Sequence, residues 1–438
     1  MTTRTAFLFP GQGAYIPGVL SKRIDQFPSA RTLLDTVDET AAEYGHEAIS
    51  PLLLEPDAAS VDELLEQRPE ALDLAIYAID AAAYEILVGL GVRADVLVGH
   101  SFGELAALTS AKAVSVSDAT RIVCERSAAF RQAELPESGM VALGLGARRA
   151  QHLVGLLDDS QLCLAVDNGP AQSVVSGPAE SLQEVARLAS AVGVRATRLR
   201  AGHAFHNPLL YGVTDVFSQA TAQLPLHAPR VPVFSATLSR YLRTSADVRE
   251  LVERHMVQPV HFYAGLLTLF QDGVRVFVEA GARQALAGLV RESLPSSARV
   301  TSLLPSRGSA EKLVEALRSA DIHVNGLPAP EEPQSAPIPV PPIATAADHV
   351  RPRENALPDH PQLMAELAEI YAEQLGFPAE LLTADIDLEA ELGVDSLKQL
   401  AVFEHALRHY ELSEPAPDRR VVATTLAQVS EVLQELSP

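Results

Sequence analysis

Hydrophobic positions along this chain recur with two periods, and the alternation between them outlines a fold. Short apolar runs bounded by turn residues predict buried strands at Thr5 to Phe9, Ala94 to Gly99 (ADVLVG) and Val274 to Glu279 (VRVFVE). Between the first two, Leu72 to Leu90 has helical spacing and an alanine-rich face suited to close packing. The second strand runs into Gly-His-Ser-Phe-Gly and then the helix-like ELAALTSA. Strands alternating with helices predict an α/β layered unit built on a mostly parallel sheet.

An interior segment has its own rhythm. Met140 to Gly146 reads as strand, Ala147 to Leu157 as helix and Leu162 to Asp167 as strand. Ser173 to Gly177 reads as strand, Ala179 to Val192 as helix and Val194 to Leu199 as strand. That β-α-β-β-α-β order is ferredoxin-like, and predicts a subdomain over about 138–200 inserted in the larger unit.

The pattern breaks at 326–357, where 32 residues include eight prolines. Such a stretch builds neither a regular helix nor a central strand. It is expected to be a semi-extended tether, reaching about 3.1 Å per residue where polyproline-like. Beyond it, PQLMAELAEIYAEQLG, SLKQLAVFEHALRHY and TTLAQVSEVLQEL carry helical spacing and predict a three- or four-helix bundle over 358–438.

Charge sharpens the division. The net charge is −22. Residues 358–438 hold 16 acidic and 4 basic side chains, or −12, leaving −10 for the other 357 residues. An acidic helical unit argues against nucleic-acid binding, which needs Lys and Arg on phosphates, and favours partners with basic docking patches. No apolar stretch approaches membrane-spanning length, and the N-terminus lacks a signal peptide's apolar region and cleavage site. Cys124 and Cys163 are too far apart for a paired-ligand zinc motif. They are expected to be two buried thiols of a cytoplasmic protein, and no metal site is expected.

Two serines stand in reactive settings. Ser101 lies in Gly99-His100-Ser101-Phe102-Gly103, a Gly-x-Ser-x-Gly pattern between strand and helix. The glycines permit a sharp turn that presents the hydroxyl to a cleft, and the helix start offers unpaired N–H groups to a developing oxyanion. Ser396, in Gly393-Val394-Asp395-Ser396-Leu397, opens a predicted helix that Asp395 can cap. There the positive end of the helix favours a phosphodiester.

The motifs around Ser101 resemble a known family. GHSFGE with FPGQG (Phe9 to Gly13), Arg126, SGMVALG, DNGPAQSVVSG (Asp167 to Gly177), HAFH (His203 to His206), QPV (Gln258 to Val260) and FVEAG follow one another over about residues 1–320. In that order they are similar to the malonyl-CoA:acyl-carrier-protein transacylases and the acyltransferase domains of polyketide synthases. The resemblance implies an α/β-hydrolase-like acyltransferase domain over 1–325, with Ser101 as acyl-enzyme nucleophile and His206 as general base. It implies an oxyanion hole from the Gln12 and Phe102 N–H groups. The family orients its histidine through a backbone carbonyl, and counting four positions before Pro259 assigns that carbonyl to His255. Asn168 is expected to shape the cleft or to cap its own loop.

By the same resemblance, Arg126 pairs with the free carboxylate of a malonyl-type group, which a guanidinium can grip through two parallel hydrogen bonds. His203 and Phe205 belong to the HAFH version associated with malonyl over methylmalonyl, Phe205 crowding a branch at C2; a single methylene discriminates by only about 1–3 kcal/mol. Three positions depart from the pattern: Phe102 is bulkier than usual, Phe130 replaces a common Met, and Asp73-Leu74-Ala75 stands where Gln-Pro-Ala is frequent. An unusual extender is therefore open.

The segment from Asp387 to Tyr410 resembles an acyl carrier protein around its 4′-phosphopantetheine attachment serine, here Ser396. The expectation is a transferase joined to a carrier, an α/β unit plus an all-α four-helix bundle. Its substrates would be an acyl-CoA and a carrier thiol. Its partners would be a phosphopantetheinyl transferase and, since Met1 directly precedes the first strand, a separate ketosynthase or polyketide synthase. Two other readings remain open. A serine hydrolase of esterase type shares the turn, and a non-catalytic scaffold could merely dock the carrier.

Overall fold

The computed structural model of the chain describes residues 4–327, 360–375 and 425–436, with a few positions between 382 and 410. Two compact units, Met1–Pro330 and Glu331–Pro438, divide it. Ser396 and nearly all of the proline-rich segment lie outside the described residues.

The first unit contains strands β1 (Arg4–Phe9), β2 (Val96–Gly99), β3 (Ser138–Leu143), β4 (Cys163–Gly169), β5 (Gln172–Pro178), β6 (Ala196–Arg198), β7 (Val233–Ser235), β8 (Arg240–Leu242), β9 (Val274–Ala282) and β10 (Arg299–Leu304). One sheet has the order β10-β9-β1-β2-β7-β8. All its pairs are parallel except the edge hairpin of β7 and β8. The central strands are apolar on both faces because helices cover both: Ala6, Phe7, Leu8 and Phe9 of β1 and Val96, Leu97 and Val98 of β2 are buried. Each large apolar side chain so buried contributes roughly 1.5–3 kcal/mol.

The helix Pro69–Gly89 shows the other solution for a long apolar segment. Its buried positions run from Ala71 to Leu87 and include six alanines, whose small side chains let it pack on several sides at once. Proline at its first position suits an N-terminus that needs no donor there. Asp80 on this helix is fully buried, and neither carboxylate oxygen has a hydrogen-bond partner among the described residues. Desolvation, with the nearby Glu279, pushes its pKa well above the usual range. Glu279 accepts bonds from the Leu286 and Ala287 N–H groups and the Ser302 hydroxyl.

The second sheet is antiparallel, with the order β4-β5-β3-β6. Helices Ala147–Gly155 and Ala179–Ala191 connect its strands, and a separate apolar cluster from Val141 to Ala189 fills the space beneath them. The antiparallel sheet is tied to the rest of the unit where Val166 of β4 bridges Val260 in parallel, with the Val260 N–H bonded to the Ala165 carbonyl. That bridge fixes the strand carrying Asn168 beside the loop that precedes helix Phe262–Gln271.

Of the cysteines, Cys124 is buried, as expected, but Cys163 at the start of β4 is half-exposed. A first strand position at the sheet margin lacks a covering layer. In the second unit, helices His360–Leu375 and Leu426–Leu436 share one apolar cluster. Leu363, Leu367, Ile370 and Tyr371 supply one helical face, and Leu426, Val429 and Leu433 the other. No described helix is long and apolar enough to cross a membrane.

Candidate active site

The site begins where β1 and β2 end side by side, Phe9 paired with Gly99. The carboxyl ends of adjacent parallel strands are the usual place for a ligand crevice. From β2 the chain turns sharply through His100 and Ser101 into helix Gly103–Ser110. Ser101 has φ +54, a left-handed conformation unfavourable for a residue with a side chain. The turn closes only with glycine on both sides. A Cβ on Gly99 would lie 2.1 Å from the Glu104 Cα, and one on Gly103 would lie 2.2 Å from the Phe9 carbonyl oxygen. Gly11 packs as tightly, its Cβ position 2.7 Å from the His100 oxygen and 3.5 Å from the Phe102 nitrogen.

That packing brings the Gly11-Gln12 turn next to the start of the serine helix. Among the described residues, neither the Gln12 nor the Phe102 N–H donates to a protein acceptor. Two free backbone donors from adjacent turns can receive an oxyanion formed at Ser101.

Ser101 Oγ lies 2.7 Å from His206 Nε2, a pairing between residues 105 apart in sequence. His206 is also left-handed, with φ +58, and its own N–H donates to the Met256 carbonyl at 2.7 Å. Its Nδ1 sits 2.8 Å from the Gln258 carbonyl oxygen. A carbonyl only accepts, so Nδ1 carries the proton and Nε2 presents its lone pair to the serine hydroxyl. Desolvation lowers the His206 pKa to about 4, so the imidazole is neutral at pH 7. Neighbouring Asn207 pins the loop, its amide donating to the Gln161 and Ser176 carbonyls.

The carbonyl bonded to Nδ1 is therefore that of Gln258, and the His255 backbone expected in that role acts on the ring only as a lesser partner. His255 ends helix Ser245–Arg254, its N–H bonded within that helix to the Leu251 carbonyl. It also contributes an imidazole to the cleft. Its Nδ1 donates to the Val252 carbonyl at 2.7 Å, its ring packs edge-on against Phe217, and burial lowers its pKa to about 3. The available signal was the proline. A residue before proline is pushed to extended conformations, which turns the Gln258 carbonyl out of the helical direction.

Asn168 acts one residue from Ser101. Its Oδ1 accepts from His100 Nε2 at 2.7 Å, and its Nδ2 donates to Gln172 Oε1 at 2.7 Å. It thus ties the serine turn to β4 and β5. Glu104, the residue after Gly103, is buried and accepts from the Ser235 hydroxyl and the Thr237 N–H, while its other oxygen has no partner among the described residues. Burial raises its pKa to about 7.

Beyond the serine lies Arg126 on helix Val116–Gln132, only 4% exposed. Its guanidinium carbon stands 5.0 Å from the Phe102 ring centroid, 5.4 Å from Phe130 and 4.8 Å from Phe205. Aromatic faces attract a cation held this close. His203 stacks on Phe130 at 4.4 Å, and burial, with Arg126 nearby, keeps it neutral by lowering its pKa. Arg126 Nη1 donates to Asp73 Oδ2 at 2.6 Å, whereas its Nε is buried without a partner among the described residues. A cavity of about 20 Å³ adjoins Ser101, Arg126 and His255. The site thus gathers Ser101, His206, Gln12, Phe102, Arg126, Phe205, His203, Asn168 and His255, with Gln258 and Asp73 added.

Comparison with known proteins places the chain in a family. An acyl transferase domain model matches residues 6–327. The malonyl CoA-acyl carrier protein transacylase of Bacillus subtilis is 30% identical over 295 residues, spanning 66% of this chain and 90% of that protein. Polyketide synthase GfsA of Streptomyces halstedii is 31% identical over 351 residues, 77% of this chain but only 5% of the synthase. NorB, a spectinabilin synthase protein of Streptomyces orinoci, is 32% identical over 68% of this chain and 14% of its own length. In structure, the acyltransferase domain from module 8 of the salinomycin polyketide synthase superposes with TM-score 0.67 at 27% identity, covering 74% of this chain and 76% of that one. The transacylase of Coxiella burnetii, at 24% identity, shares the fold with TM-score 0.65 over 73% of this chain and 98% of its own. With a family model spanning most of its length, the chain belongs to the acyl transferase domain family and is an acyltransferase.

Proposed function

We propose that the chain moves a malonyl-type acyl group from coenzyme A to the phosphopantetheine thiol of an acyl carrier protein, through an ester on Ser101, in polyketide or fatty-acid-like synthesis. The observation that carries this reading is the 2.7 Å Ser101–His206 contact, with the imidazole tautomer set by Gln258 and a buried guanidinium beyond it.

Ser101 Oγ gives its proton to His206 Nε2 as it attacks the thioester carbonyl. The Gln12 and Phe102 N–H groups receive the oxyanion. When the tetrahedral species collapses, the C–S bond breaks, and His206 returns the proton to the departing thiolate, releasing coenzyme A. A carrier thiol then repeats the steps in reverse: His206 takes its proton, sulfur attacks the Ser101 ester, and the serine recovers its hydrogen. The Gln258 carbonyl steadies Nδ1–H while the ring is transiently cationic.

Residues 358–438 supply the acceptor in this proposal, with the arm attached at Ser396 by a separate transferase. Their acidic charge, the GVDSL motif and the apolar faces of the two described helices support it. A tether of that length gives an effective concentration of order mM where geometry permits.

Intact-protein mass spectrometry after incubation with malonyl-CoA tests the reading. One malonyl mass on the chain is expected, dependent on Ser101 and passed to a phosphopantetheine arm when one is attached. Rapid release of free malonate with no loaded carrier would instead favour a hydrolase.

A further inference from the structure

Asp73 connects the two ends of the acyl site. Its Oδ1 accepts from Gln12 Nε2 at 3.1 Å, and its Oδ2 from Arg126 Nη1 at 2.6 Å. In the proposed reaction those neighbours hold opposite ends of a malonyl group: the Gln12 turn the thioester oxygen, Arg126 the free carboxylate. Bonded to a residue at each end, Asp73 would in that reaction stand beside the carbon between them. Its side chain is 15% exposed, whereas that of Arg126 is 4% exposed.

This changes what the pocket favours. A carboxylate arriving at Arg126 finds one donor already committed to Asp73, while Nε remains buried and unpartnered. Two carboxylates would share one guanidinium, and like charges at close range oppose each other. His203 is held neutral and stacked, so it adds no positive charge at pH 7. Each Asp73 oxygen accepts one hydrogen bond and has capacity for another. A hydrogen-bond donor on the acyl group would fill that capacity and offset the repulsion.

We propose that Asp73 is a specificity-determining residue selecting a malonyl-type acyl group that bears a hydrogen-bond donor, hydroxyl or amino, on the carbon between its two carbonyls. The proposal rests on the acyl-transfer reading above. An apolar branch at the same carbon gains nothing from Asp73 and meets the Phe205 ring. The donor bond forms only with the substituted substrate, so selection falls on acyl identity and leaves the Ser101–His206 pair unchanged.

The test offers the full chain four synthetic pantetheine thioesters, those of malonate, 2-methylmalonate, 2-hydroxymalonate and 2-aminomalonate, and follows acylation of Ser101 by intact mass. Wild type should favour the hydroxy or amino thioester over the methyl one by about tenfold or more, the worth of a buried hydrogen bond. The two donor arms separate a neutral donor from a cationic one. Asp73→Asn, which keeps the shape and loses the charge, and Asp73→Gln should reduce that ratio and raise acylation by plain malonate. Preference of the wild type for plain malonate overturns the proposal, and this arm stands even if the variants fail to fold. A common loss on all four thioesters in both variants overturns it too, since that marks Asp73 as a positioning residue. No Ser101-dependent acylation by any thioester defeats the transfer reading itself, and this proposal with it.

Discussion

The two halves of the site are built from different materials. Around Ser101 the working parts are largely backbone: left-handed turns at Ser101 and His206, free N–H groups at Gln12 and Phe102, and the Gln258 carbonyl. Around Arg126 they are side chains, Phe130 from its own helix and Asp73, Phe102, His203 and Phe205 from other segments. Backbone geometry tolerates changes of side chain so long as the turn survives. Side-chain assemblies can be reset by single substitutions. Chemistry fixed by the first and selection carried by the second is an arrangement in which one fold can serve many acyl groups.

The sharpest way to break this contrast is at the base. His206→Ala should lower the rate of Ser101 acylation by about 10²–10⁴-fold with every acyl thioester, the range for loss of a general base; single-turnover mass spectrometry measures it. Next is the anchor. Arg126→Ala should weaken kcat/KM for malonyl-CoA by roughly 10²–10³-fold, in keeping with about 2–5 kcal/mol for truncating a buried charge partner. An uncharged acyl-CoA should be much less affected. Equal losses for both would mean that Arg126 serves the fold or the chemistry, not selection.

A pH profile comes third. The His206 pKa is lowered to about 4. Only its neutral form accepts the serine proton, so acylation should hold level from neutral pH down towards 5. Below about 4 it should fall by about tenfold per pH unit as the ring protonates. A limb near 6.5, the ordinary histidine value, would show the imidazole to be solvated in the working enzyme. The smallest effect is expected at Gln258→Ala, since the main-chain carbonyl persists; acylation should change by no more than about twofold, within the ordinary range of a surface change. A large loss there would place catalytic weight on a side chain and erase the contrast.

The strand-and-helix alternation around Ser101 was legible because buried strands and amphipathic helices impose different periods on the sequence. The β-α-β-β-α-β rhythm was legible for the same reason, and the described strands follow it within a few residues. The short strands β7 and β8 at one end of the sheet left no comparable signature, being only three residues each. Ser101 and His206 were found through local motifs, each set in a turn whose glycines or left-handed backbone restrict the residues allowed. Counting from Pro259 pointed to His255 and passed over Gln258, the nearer partner of His206 Nδ1, because it ignores where each carbonyl points.

By itself the sequence determined the layering of the large unit, the place of the serine turn and the acyltransferase family, since these follow from periodicity and short motifs. Tertiary structure decided which carbonyl holds His206, across 52 residues, and that Asp73 meets Arg126 across 53. Those contacts depend on how separate elements are turned towards one another, a product of packing that no local pattern encodes. Asp73 stood out in sequence only as a departure from a familiar motif. The fold made it the partner of the one guanidinium that reads the acyl group in our proposal.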